Sequence, residues 1–133
     1  MIVVDTNVIT YLFFDGEHTA HAEKALAKDP EWAAPLLWRR EFRNVLAFHI
    51  RTKRLSLYTA LTIMDEAEHL IQGNEFDVRS ANVLSLAESS GCFACDCEYA
   101  VLAKDLGIPL VTPDTKLLDS FPDMAVSLET FAG

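Results

Sequence analysis

Four carboxylates in this chain sit where an acid needs a reason. Asp5 closes the apolar run Ile2-Val3-Val4. Glu41 lies inside a helical stretch that begins near Leu36. Asp96 follows the largely apolar Cys92-Phe93-Ala94-Cys95, and Asp114 follows Val111-Thr112-Pro113. At about 100° per residue, Glu41 falls beside Leu37, Val45 and Phe48, on the edge of an apolar face. A charge there is partly desolvated and costly to bury without a partner. Its basic neighbours Arg40 and Arg43 point elsewhere around the helix. Taken singly, Asp5, Asp96 and Asp114 each have an ordinary explanation, an N-cap worth ~1 kcal/mol. Taken jointly that explanation weakens, because two acids end strands, one opens a helix at the same edge, and one interrupts an apolar face. Four converging carboxylates cannot all stay ionised unaided, since like charges push a pKa upward. A divalent cation removes the conflict. Oxygen donors without His or thiolate select Mg²⁺ or Mn²⁺, ions whose characteristic work is on phosphates.

The elements that must position these acids follow from periodicity. Ile2-Val3-Val4 reads as a short buried strand, and Asp5-Thr6-Asn7 as a helix start. A helix then runs through Val8, Ile9, Leu12 and Phe13 to Asp15-Gly16, and a second from about His18 to Lys28. Trp32 to Pro35 is a strand candidate. A long helix from about Leu36 to Thr52 places Trp38, Phe42, Val45, Leu46 and His49 on one face. Another follows Ser56, with Leu57, Ala60, Leu61, Met64 and Ala67 at i+3/i+4 spacing. Glu75 to Val78 is a weak strand. Helices are predicted from about Arg79 to Glu88, ending at Gly91, and from near Asp96 to Gly107. Ile108 to Thr112 reads as a buried strand, Pro113-Asp114 as the start of a short helix, and Ala125 to Leu128 as a last strand. Short apolar strands alternating with helices predict an α/β sandwich around a parallel sheet. Ligands in such sheets bind beyond the carboxyl ends of the strands, which singles out Asp5 and Asp114.

Composition narrows the class. One domain accounts for 133 residues. The apolar run Trp32 to Trp38 is broken by Pro35 and is shorter than the ~20 residues of a membrane span. The start lacks a basic flank and a long apolar core, so no secretory signal is expected. The sequence therefore predicts a soluble, cytoplasmic protein. Cys92, Cys95 and Cys97 make an odd, crowded set. They are a poor disulfide framework, and no second CxxC completes a zinc site. Plain thiols in a reducing compartment are expected. Twenty acids against eleven bases give a net charge of −9, which argues against indiscriminate nucleic-acid binding. The bases nevertheless cluster: Arg39, Arg40, Arg43, Arg51, Lys53 and Arg54 lie within one stretch. That stretch is either a solvated helix face or a contact for phosphates, and Arg39, Arg40 and Arg43 are the candidate RNA contacts.

With these residues in place the sequence resembles the PIN-domain ribonucleases, and within them the VapC-type toxins of toxin–antitoxin pairs. The matching segments are Val4-Asp5-Thr6-Asn7-Val8, Glu41, Asp96 ahead of Tyr99-Ala100-Val101-Leu102-Ala103, and Ile108-Pro109-Leu110-Val111-Thr112-Pro113-Asp114. The resemblance spans nearly the whole chain and implies a single PIN-like domain over residues 1–133. Its fold would be a three-layer α/β/α sandwich with a central parallel sheet. It implies a Mg²⁺-dependent endoribonuclease, with Mn²⁺ as a possible substitute. The metal and catalytic set would be Asp5, Glu41, Asp96 and Asp114, and the products a 5′-phosphate and a 3′-hydroxyl. It further implies a homodimer and a small cognate antitoxin as partner. Asn7 and Thr112 take supporting places along the groove. Glu98, near Asp96, reads either as an assisting acid or as a solvent-exposed first-turn acid favoured by the helix dipole, and the second reading is preferred. Two departures stand out, the cysteine-rich segment around the third acid and the acidic net charge. The charge favours a selected, structured RNA over bulk RNA.

Two other readings compete. A haloacid-dehalogenase-like phosphatase also places an Asp after its first strand, but it needs a second Asp where this chain has Asn7. A catalytically inactive RNA-binding or interaction module would keep the fold without turnover. The aromatic residues Trp32, Trp38, Phe42 and Phe48 have core-like spacing. Tyr11, Phe13 and Phe14 are candidates either for core or for a partner contact.

Overall fold

The computed structural model describes residues 1–133. Its sheet is built from β1 (Ile2–Val4), β2 (Trp32–Pro35), β3 (Glu75–Phe76), β4 (Leu110–Val111) and β5 (Ala125–Val126). The strand order is β3-β2-β1-β4-β5, with every pairing parallel. Eight helices connect and cover the strands: α1 (Thr6–Phe13), α2 (Thr19–Lys28), α3 (Leu37–Arg51), α4 (Leu57–Ile71), α5 (Ser80–Ser90), α6 (Ala94–Leu106), α7 (Thr115–Ser120) and α8 (Leu128–Ala132).

Strand alternation divides the interior into two layers. Successive strand residues point to opposite faces. Ile2, Val4, Trp32, Ala34 and Val111 therefore join one core, filled by α1, α2, α3, α4 and α8 through residues such as Val8, Ala22, Trp38, Phe42, Ala60 and Leu128. Val3, Ala33, Leu110 and Ala125 face the other core, closed by α5, α6 and α7 through Val83, Tyr99, Val101, Leu102 and Leu117. Both faces of the strands are covered, which is why they read as continuous apolar runs rather than as alternating ones. The result is the three-layer α/β/α sandwich expected from the sequence.

The strand order sets the place of the site. From the central β1 the chain moves outward through β2 and β3, then returns to the other side of β1 for β4 and β5. The direction reverses between β1 and β4, and a crevice opens at the carboxyl ends of strands flanking such a reversal. Asp5 leaves β1 and Thr112 leaves β4, so both stand at its lip. The register Val4↔Val111 holds them abreast, and the Asp5 N–H donates to the Val111 carbonyl at 3.1 Å, carrying the ladder one residue further.

Several elements differ from the sequence expectation. The helix expected near Asp96 starts at Ala94, with Phe93 at its N-cap position, so Asp96 is its third residue and not its cap. The strand β4 covers two residues, not five, and exposed Pro109 precedes it. The last segment bends from β5 into α8, where the Ser127 hydroxyl accepts from the Thr130 N–H. Leu57 and Leu61 share the apolar spacing of α4 but are 63% and 61% exposed. The stripe on α4 is wider than the surface it meets, and Ala60, Ala67 and Ile71 take the core positions. Phe48 likewise lies outside the core, whereas Trp32, Trp38 and Phe42 are sealed within it. Tyr11, Phe13 and Phe14 are partly buried against the first core, with Phe14 stacked on His49.

Candidate active site

Each acid reaches the crevice by a different local device. Asp5 occupies the N-cap position of α1, but its side chain caps nothing. Instead it is buried, 8% exposed, and its Oδ2 accepts a 2.7 Å hydrogen bond from the Thr112 hydroxyl. That hydroxyl in turn accepts from the Asp114 N–H at 3.0 Å, so Thr112, itself fully buried, ties two of the acids together. Asp114 is the N-cap of α7, and its Oδ1 accepts from the Lys116 and Leu117 N–H groups at 2.8 and 3.1 Å. Glu41, half-buried on α3, takes two hydroxyl donors on its Oε1, Thr6 at 2.9 Å and Tyr99 at 2.5 Å. Asp96, in the first turn of α6, has a carboxylate with no hydrogen-bond partner in the chain.

A common pattern emerges. Asp5, Asp114 and Glu41 each have one oxygen fastened by the fold, and Asp114 Oδ2 and Glu41 Oε2 accept nothing from the protein. None of the four acids has a Lys, Arg or His partner within ion-pair distance. Their charges act on one another. Burial pushes the Asp5 carboxyl up to about 6, Thr112 pulls against it, and the charges of Glu41 and Asp96 add to the rise. The Asp96 carboxyl is also raised, first by burial and then by the charges of Asp114 and Glu41. The four acids therefore form one electrostatically linked group.

The donor set suits a hard divalent cation. All donors are oxygens, several are free, and no side chain neutralises them. No three His, Cys, Asp or Glu side chains stand close enough together to hold a metal ion by themselves. Mg²⁺ does not require such a group, because it keeps several waters and binds through one or two carboxylates plus substrate phosphate oxygens. None of the molecule's clefts is lined by these four acids. The roomiest cleft, about 610 Å³, is at the opposite ends of β4 and β5, beside Gly107, Pro109, Pro122 and Met124.

Residues 2–123 match the family described as the PIN domain. The chain belongs to that family. Among proteins it is similar to one named Ribonuclease VapC3 from Pyrobaculum aerophilum. The two are 27% identical over 124 residues, which span 91% of this chain and 95% of that protein. Among solved structures the fold resembles the crystal structure of PAE2754 from Pyrobaculum aerophilum. The TM-score is 0.77 at 23% identity, covering 98% of this chain and 85% of that one. It also resembles a toxin–antitoxin complex from Klebsiella pneumoniae, with a TM-score of 0.72 at 18% identity, covering 96% of this chain and 98% of that one.

On this PIN-domain frame the remaining candidates separate. Thr112 lies among the acids, as described. Asn7 is exposed, its side chain bonds to nothing, and only its backbone amide acts on Asp5, against the rise. The basic candidates do not act together. Arg39 departs from the expected RNA role: its guanidinium grips Glu75 through two bonds of 2.6 and 2.8 Å and also pairs with Glu68. It clamps α3 to β3 and α4, and that occupation withdraws it from the free phosphate contacts. Arg43 is exposed and borders the cleft between α3 and α4. Arg40 makes no ion pair, and its charge acts on Glu98, holding that carboxyl down against burial.

Glu98 departs from its expected exposure. It is half-buried, and the net effect of burial, Arg40, Glu41 and Asp77 is a raised carboxyl. The three cysteines are free thiols, Cys92 and Cys97 buried and Cys95 exposed. Burial, then the charges of Asp96 and Glu41, push the Cys95 thiol up, away from reactivity. Thr6 and Tyr99 were not singled out from the sequence. Thr6 passes for a helix-start residue, and Tyr99 sits in an apolar run that reads as core.

Proposed function

We propose that this PIN-domain protein is a Mg²⁺-dependent endoribonuclease, the toxin of a type II toxin–antitoxin pair, with Asp5, Glu41, Asp96 and Asp114 holding the cation. The observation that carries the reading is the set of carboxylate oxygens left free at one crevice with no counter-charge. The relative named Ribonuclease VapC3 supports RNA as substrate. When bound, Mg²⁺ would supply charge neutralisation and Lewis acidity at a phosphodiester. The chain's own residues do the positioning. Thr112 orients Asp5, the α7 N-terminus orients Asp114, and Thr6 with Tyr99 orients Glu41. Arg40, which is free of ion pairs and acts on Glu98, is a candidate cation for a flanking phosphate. With a net charge of −9 the rest of the surface repels RNA, and with so few free cations for phosphates the loss of binding with salt is expected to be shallow.

The partner follows from the surface. Leu57, Tyr58 and Leu61 are exposed, and an apolar cleft of about 210 Å³ runs between α3 and α4 past Leu46, Ile50 and Met64. Exposed apolar patches of this kind mark protein contacts. A small antitoxin, a homodimer or both would cover it, and one structural neighbour is itself a toxin–antitoxin complex. No helix is long and apolar enough to cross a membrane, and a cytoplasmic site of action is part of the proposal.

The test is direct. Purified protein should cut an oligoribonucleotide when Mg²⁺ or Mn²⁺ is present, lose that activity in EDTA, and leave a small phosphomonoester intact. Cleavage undiminished by EDTA would remove the metal from the proposal. Binding without cleavage under Mn²⁺ would favour the inactive-module reading. The family assignment leaves the phosphatase reading without support.

Asp114 allows structure and chemistry to be separated. Asn caps a helix as well as Asp does. Asp114→Asn should therefore keep the melting temperature while losing most cleavage. Asp114→Ala should lose cleavage and in addition about 1 kcal/mol of stability. Equal activity of Asp114→Asn and the unsubstituted protein would reduce Asp114 to a cap.

A further inference from the structure

Tyr99 is buried to 1% exposure on α6, and its phenol points out of the apolar core at a carboxylate that comes from α3. A tyrosine placed for packing alone needs only its ring. Once buried, the hydroxyl must find a partner, but a backbone carbonyl would serve. Here the partner is Glu41 Oε1, and the same oxygen also takes the Thr6 hydroxyl. The two hydroxyls lie 2.5 Å from one another. Each carries a single proton, so with Glu41 ionised one hydroxyl donates to Oε1 and the other donates to its neighbouring hydroxyl, closing a three-oxygen network around Oε1. That oxygen is then held from two helices, α1 and α6, and the second oxygen, Oε2, is left without a protein donor. An unrestrained glutamate side chain samples many rotamers and loses up to roughly 2 kcal/mol of rotational freedom when it is fixed. The fold has fixed this one before any ligand arrives.

We propose that Tyr99, acting with Thr6, is a positioning residue for the divalent cation. It occupies one oxygen of Glu41 and so presents the other as a single, pre-oriented donor. The proposal rests on the reading of the acidic crevice as a metal site. It predicts a loss in metal affinity that a purely structural tyrosine would not produce, because outer-shell partners of ligating carboxylates typically change affinity by about 10–100-fold.

Mn²⁺ binding to the metal-free protein, followed by electron paramagnetic resonance or calorimetry, reads this without reference to turnover. Tyr99→Phe keeps the ring, should fold as judged by circular dichroism, and should bind Mn²⁺ at least about tenfold more weakly. Its RNA cleavage should recover toward that of the unsubstituted protein as Mn²⁺ is raised to saturation. In a Glu41→Gln background the same change should cost nothing further. Thr6→Val removes the second donor from a different helix and should weaken Mn²⁺ binding in the same Glu41-dependent way. If Tyr99→Phe does not fold, this variant decides. Unchanged Mn²⁺ affinity, or an equal loss with and without Glu41, would overturn the positioning role while leaving the metal site standing. Failure of the unsubstituted protein to bind Mn²⁺ would overturn both.

Discussion

Asp5→Asn is expected to silence RNA cleavage by roughly 10³-fold and, at neutral pH, to make the protein more resistant to heat. The two effects share one cause. Asp5 is buried at the crevice, where loss of hydration and the charges of Glu41 and Asp96 lift its carboxyl from 3.8 to about 6. In the unfolded chain the proton leaves near 3.8, whereas in the folded chain it stays until about 6. Between those values the folded state binds more protons, so stability falls as pH rises through that window and remains lowered above it. The full cost of the ionised group is about 3 kcal/mol. A neutral amide of the same shape still accepts from Thr112 and avoids most of that cost. Thermal melts across pH should therefore show a fall between acid and neutral pH that is reduced in Asp5→Asn. Mg²⁺ should raise the melting temperature of the unsubstituted protein, because a ligand of the folded state stabilises it, and should do little for the variant. A variant less stable than its parent at neutral pH, or equally stabilised by Mg²⁺, would show that Asp5 is neither strained nor a metal donor.

The same balance explains what the sequence disclosed and what it concealed. Asp5 and Asp114 were legible because a polar residue closing a β-branched run has few places to go in a parallel sheet, and the strand-end rule names the place. Glu41 was legible as a charge on an apolar edge. The layers followed from short apolar strands alternating with helices. Periodicity reports which face a residue occupies but not which neighbour it meets. The ring of Tyr99 belongs to the core, while its hydroxyl belongs to Glu41, a pairing that periodicity does not report. Arg39 passed as a phosphate contact although Glu75, far along the chain, had claimed it. Leu57 and Leu61 passed as buried because an apolar stripe cannot show how much surface lies opposite it. Glu98 passed as solvent-exposed because the strand end and helix that crowd it are distant in sequence.

Thr112→Val is expected to be the most damaging change that removes no charge. The hydroxyl sits at 0% exposure between two acids, donating to Asp5 Oδ2 and accepting from the Asp114 N–H. Valine fills the same volume, so no cavity opens, and the whole effect falls on the two lost hydrogen bonds. Each buried group left unpaired costs about 1–3 kcal/mol. A melt should therefore show a loss of several kcal/mol, far above the few tenths typical of surface changes. The site suffers in the same direction. Thr112 is the strongest influence holding the Asp5 carboxyl down against burial. Without it the carboxyl rises further, and a larger share is protonated and unable to serve a cation at neutral pH. Cleavage should fall, and the acid limb of its pH profile should move to higher pH. Thr112→Ser restores the hydroxyl and should recover both the pH profile and most of the stability. An acid limb left in place by Thr112→Val would mean that burial alone sets the Asp5 charge. The link from β4 to the crevice would then be architectural, not electrostatic.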